Sequence, residues 1–151
     1  GVLMAKLTSG RYAILDVIRV RVRANKVREL VKRTAENDGK AVRVGISQDP
    51  GQAGKEQATS YAAMLAGYTV VIVNESGAGN KVTKAEPLAA QWQANNVDVL
   101  EGPWNEDFFT ELEAFPSPKT HDDQVDGASG AFSLLNTRTS AAPSTGGART
   151  Y

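Results

Sequence analysis

The chain has 151 residues, 17 Lys+Arg against 17 Asp+Glu, no cysteine and a single histidine. Its length and 41% hydrophobic content suit one domain with a real core, and exclude a disulfide scaffold, a cysteine-ligated metal centre or any site of several histidines. No apolar run approaches the ~18 residues of a membrane span, and no signal-peptide layout opens the chain, so the class expected is a soluble, cytoplasmic domain.

The zero net charge conceals a split. Residues 1–43 hold eleven Lys/Arg and four Asp/Glu, a surplus of +7. Residues 44–151 hold six and thirteen, a deficit of −7. Such asymmetry signals an electrostatic function unless each charge is simply spread over solvated surface.

Val2 to Leu7 reads as a strand, and Thr8-Ser9-Gly10-Arg11 as a turn. A longer strand is expected from Tyr12 to about Val22. Its period-2 alternation sets Arg19, Arg21 and Arg23 on one face and an apolar set on the other. Ala24 to Asn37 has a helical period (Val27, Leu30, Val31, Thr34), and Gly39 follows as its stop. Ala41 to Gln48 is a Val/Ile-rich strand ended by Asp49-Pro50-Gly51. A helix over Ala53 to Ala66 leads to Tyr68–Val73, whose unbroken apolar run predicts a central strand covered on both faces.

The polar, glycine-rich stretch Glu75 to Asn80 reads as a loop, followed by a helix from about Thr83 to Ala94 and a short strand over Val97 to Leu100. Trp104 to Phe115 predicts a short helix closed by Pro116-Ser117-Pro118. The last helix is expected from His121 or Asp122 to Leu135. Residues 137–151 are rich in Ser, Thr, Gly, Ala and Pro without apolar period, and are expected to be a flexible tail after a 1–136 domain. Antiparallel strands followed by alternating strands and helices make an α/β class: a mixed sheet flanked by helices.

Two acidic features stand out by position. Asp49 ends a strand, where ligand sites of open α/β sheets collect, although Asp before Pro-Gly is also ordinary turn chemistry. His121-Asp122-Asp123-Gln124-Val125-Asp126 opens the last helix. One acid there would serve as a cap and suit the helix dipole. Three exceed that need, and at i, i+3 and i, i+4 they crowd one face, which a hard cation such as Mg²⁺ or Mn²⁺ would relieve. Lys81 and Lys84 follow Gly77 and Gly79, so they could grip a phosphate, or could simply be two solvated lysines. Gly51 to Lys55 does not match the GxxxxGK[ST] loop, and Glu56 stands where Ser/Thr belongs, so no nucleotide loop is assigned. Trp92, Trp104, Phe108, Phe109 and Phe115 are spaced as core residues.

Five stretches match a known family in order and spacing: Gln48-Asp49-Pro50-Gly51-Gln52-Ala53-Gly54-Lys55, Gly79-Asn80-Lys81-Val82-Thr83-Lys84-Ala85, Gly102-Pro103-Trp104-Asn105, Glu111-Leu112-Glu113-Ala114-Phe115-Pro116 and His121 to Gly127. Over residues 1–135 the chain resembles the C-terminal nuclease domain of the large terminase subunit of tailed phages and prophages. The resemblance implies an RNase H-like fold and an endonuclease that cuts concatemeric double-stranded DNA during packaging, using two Mg²⁺ or Mn²⁺ ions. It implies metal ligation by Asp49 and by acids of the run Asp122, Asp123 and Asp126, with Asp123 and Asp126 favoured. His121 would flank those ligands rather than act as a base. Lys81 and Lys84 would hold DNA phosphates, and Arg19, Arg21 and Arg23 would track the DNA backbone. The partners implied are the terminase ATPase domain, the small terminase subunit and the portal protein.

In that family an aspartate on a strand preceding the hairpin is a principal ligand. The chain starts after it, so weak cleavage and an exposed sheet edge are expected. Asp16 is not its replacement and is expected to pair with a basic group. Another RNase H-like nuclease of the resolvase or integrase type, or a non-catalytic module docking DNA or portal, are the competing readings.

Overall fold

The computed structural model describes residues 1–74, 81–117, 121–137 and 146–151. The loop expected over 75–80, the proline stop at Pro118 and residues 138–145 of the expected tail lie outside the described residues. In chain order the elements are β1 (Val2–Lys6), β2 (Tyr12–Val17), α1 (Ala24–Asp38), β3 (Arg43–Gln48), α2 (Gln52–Met64), β4 (Thr69–Asn74), α3 (Lys81–Gln93), β5 (Val97–Val99), α4 (Asn105–Ala114), α5 (Asp123–Asn136) and β6 (Gly147–Thr150). The strands form one mixed sheet in the order β4-β3-β6-β1-β2-β5. β1 runs antiparallel to β2 and β6, whereas β6 with β3, β3 with β4 and β2 with β5 are parallel pairs. This is the expected α/β class, with helices on both faces of a mixed sheet.

Alternation along the strands sorts the side chains into two cores. Val2 and Met4 of β1 and Ile14 of β2 join Leu88 of α3, Phe108 of α4 and Ala128, Ala131 and Phe132 of α5. On the opposite face Val44 and Ile46 of β3 pack with Val31 and Ala35 of α1 and Ala58 of α2. Phe108 is fully buried, a contribution of roughly 2–3 kcal/mol for a side chain of that size. Trp104 meets the Phe108 ring edge-on, and Trp92 and Trp104 pack against this core as their spacing predicts, whereas Phe109, edge-on to Trp92, is 37% exposed. Small residues let α5 lie close to the sheet. A Cβ at Gly130 would stand 2.8 Å from the Thr150 side chain, which leaves no room for a larger residue.

Four expectations are corrected. First, β2 stops at Val17 rather than Val22, and Arg19, Arg21 and Arg23 lie on the irregular stretch before α1. Val20 and Val22 are about half exposed, so no second apolar face exists there to hold a strand. Second, β4 is an edge strand, not a central one. An apolar run reports that both faces of a strand are covered, and Val70 to Val73 are all half-buried; it does not report how many neighbours lie beside it.

Third, the expected tail is part of the sheet at its end, because Gly147–Thr150 forms β6 between β3 and β1. Its composition hides this, since its largest buried side chain is a cation. Arg149 is 1% exposed and pairs with Asp16 on β2 and Asp38 at the end of α1, both at 2.6 Å. Asp16 thereby has the basic partner expected for it. Fourth, β1 is paired on both sides, so the exposed edge expected beside the hairpin is absent from the described sheet, whose ends are β4 and β5.

Candidate functional site

Asp49 follows the last residue of β3, at the C-terminal end of the sheet strand. The chain turns at once through Gly51, whose φ of 99° suits glycine, and enters α2. A Cβ at Gly54 would collide with the Asp49 carbonyl oxygen, so glycine at 54 is what lets the first turn of α2 sit against Asp49. The glycines that superficially suggest a phosphate loop therefore shape the turn that presents this carboxylate.

The other acids come from the first turn of α5. Asp122 occupies its N-cap position, but its side chain makes no capping hydrogen bond. The capping role left open for it is filled from outside. Glu111 of α4 is buried, and its Oε1 accepts from the backbone N–H of Gln124 at 2.6 Å and of Val125 at 3.3 Å. Its Oε2 accepts from the Gln124 side-chain amide at 2.7 Å. Arg19 lies 3.8 Å from the same carboxylate. Glu111 is the positioning residue that sequence reasoning missed. It lies in one of the matched stretches, but no local spacing signals a cap delivered from a preceding helix.

Asp49, Asp123 and Asp126 line one cleft of about 920 Å³, together with Lys81 and Lys84. Asp122 is half-buried beside it and is not a lining residue. His121 is exposed just before α5 and does not line the cleft either. Arg21 and Arg23 are exposed and do not line the cleft, and Arg19 is turned toward Glu111.

Lys81, the first residue of α3, bridges two of the acids. Its Nζ lies 2.6 Å from Asp122 Oδ1 and 2.8 Å from Asp126 Oδ2. The hydrogen bonds to Asp122 and then Asp126 hold its ammonium above the usual lysine range, so it stays charged at any working pH. A monovalent cation is thus already accommodated between two carboxylates of the run. The donor set is carboxylate oxygen, the chemistry of hard cations that keep much of their water. Among the described residues no three His, Cys, Asp or Glu side chains converge on one point, so an ion here would take one or two carboxylates and fill its remaining positions with water or phosphate.

Neither a curated protein nor a solved structure matches the chain. A family model does: that of the terminase RNase H-like domain matches residues 1–135, which include both sides of the hairpin, the Asp49 turn, Lys81, Glu111 and the acids of α5. With that match covering most of its length, the chain belongs to the terminase RNase H-like domain family.

Proposed function

We propose that this domain is a metal-dependent endonuclease of a phage or prophage DNA-packaging terminase, cutting concatemeric double-stranded DNA by two-metal phosphodiester hydrolysis. Family membership supports a nuclease-type role in DNA packaging. The observation that carries the finer reading is the shared cleft, lined by Asp49 from the end of β3 and by Asp123 and Asp126 from α5, with two lysines also in its lining.

In this reading Asp49, Asp123 and Asp126 hold the ions, with Asp122 placed to assist. Bound there, Mg²⁺ or Mn²⁺ supplies Lewis-acid chemistry, activating water and neutralising charge at the phosphate. The carboxylates serve as ligands and do not themselves move protons. Lys81 and Lys84 orient the DNA phosphates by charge. His121 flanks the site from the solvent side. Glu111 holds the start of α5, the turn from which Asp123 and Asp126 line the cleft. The exposed Arg19, Arg21 and Arg23 give the DNA backbone a basic approach. The double-stranded DNA, the terminase ATPase domain, the small terminase subunit and the portal protein are the partners proposed.

Two measurements on the protein test this. Titration calorimetry should detect Mn²⁺ binding that Asp49→Ala and Asp123→Ala each weaken by more than about 10-fold. Mn²⁺-dependent nicking of supercoiled plasmid should fall with it. If both substitutions leave Mn²⁺ affinity and nicking rate untouched, the metal assignment is wrong.

A further inference from the structure

The Lys81 ammonium takes up one oxygen of Asp122 and one of Asp126 at 2.6 and 2.8 Å. A divalent ion on Asp126 would sit at about 2.0–2.1 Å from a carboxylate oxygen for Mg²⁺. An ammonium hydrogen-bonded to that same group would then stand within a few ångströms of a double positive charge, a strongly repulsive arrangement. In this geometry the ammonium holds Asp126 Oδ2 and opposes a second cation on the same carboxylate, so the two compete for Asp126.

We propose that Lys81 is the built-in counter-cation of the site: its ammonium and a divalent metal ion occupy Asp126 alternately. The inference rests on the metal reading above and adds what controls occupancy. Before metal arrives, Lys81 offsets the mutual repulsion of Asp122 at the N-cap and Asp126 four residues on in α5. Its side chain is half exposed and sits at the first residue of α3, so it can leave without disturbing either core. Once displaced, the ammonium lies at the wall of the cleft, where an incoming DNA phosphate offers it a new anion. Metal loading and phosphate capture are thereby linked through one side chain, and metal binds more tightly when DNA is present to accept Lys81.

Mn²⁺ titration calorimetry on the whole chain, without DNA, tests this through binding alone. Lys81→Met should tighten Mn²⁺ binding roughly ten-fold, since it removes two partly exposed ion pairs that compete with the metal. Lys81→Arg, which can still bridge both acids, should stay near the wild type. Lys84→Met removes a charge of the same sign from the same cleft, leaves the bridge in place, and should tighten binding clearly less than Lys81→Met. Equal or weaker binding by Lys81→Met, or equal tightening by Lys84→Met, overturns the counter-cation role while the metal reading stands. Absence of Mn²⁺ binding by both wild type and Lys81→Met overturns the metal reading, and this inference with it.

Discussion

A helix that opens with acids needs its first backbone N–H groups satisfied, and the side chain of Asp122 at the N-cap does not do so. Glu111 does, from a different helix, and this frees Asp122 to pair with Lys81. A buried carboxylate with three amide donors is costly to lose, because hydrogen bonds to charged groups contribute about 1.5–3 kcal/mol. Glu111→Ala should therefore lower unfolding free energy by about 2–3 kcal/mol in urea titrations. Glu111→Gln keeps the shape and some of the hydrogen bonding, so it should cost less. Its Mn²⁺ affinity should still drop about 10-fold, as for outer partners that orient metal ligands. Stability loss with unchanged Mn²⁺ affinity would show that Glu111 supports the fold without positioning the acids.

β6 decides how the elements cohere. It is the strand that joins the β3–β4 pair to β1, β2 and β5, and it is only four residues long. Backbone pairing on both edges holds it, and so does Arg149, which ties β6 to Asp16 on β2 and Asp38 on α1. Removing one partner of a buried pair typically costs 3–5 kcal/mol, because the other charges stay behind without compensation. Asp16 is 38% exposed and can regain water, so the lower end applies. Arg149→Met, which keeps most of the volume, should destabilise by about 3 kcal/mol. Amide exchange should rise along β1 and β3 where they pair with β6. If exchange rises only at β6 itself, the strand is an accessory to the sheet rather than its link.

For the whole molecule, the charge split has a spatial meaning. Part of the acidic surplus of residues 44–151 is the cleft, with Asp49, Asp123 and Asp126 on its wall. Part of the basic surplus of residues 1–43 is used internally: Arg11 pairs with Asp98, Arg28 stacks on Tyr61 at 4.9 Å, and Arg19 leans toward Glu111. Arg21 and Arg23 are exposed on an irregular stretch and suit phosphate contact. If each neutralises one phosphate, the double variant Arg21→Ala/Arg23→Ala should bind duplex DNA more weakly. Its slope of log K against log salt should be shallower by about 2, at about 0.9 per phosphate contact. An unchanged slope would remove this stretch from the DNA-binding face.

Legible in the sequence were the α/β class, the order of ten of the eleven elements described, the approximate bounds of nine of them (β2 reads five residues too long), and the family stretches that contain the acids. Those properties are local: period 2 or 3.6 in apolar residues, glycine and proline stops, and short ordered motifs. Only the tertiary structure decided that β4 lies at an edge, because face burial and lateral pairing are separate properties. Only it revealed β6, since a strand anchored by a buried arginine leaves no apolar period to read. The same holds for Glu111 and for the bridge that Lys81, already a candidate, makes to Asp122 and Asp126. Each acts on residues far along the chain, through hydrogen bonds and charge pairs that exist only once α3, α4 and α5 have packed together, and no spacing within one segment encodes them.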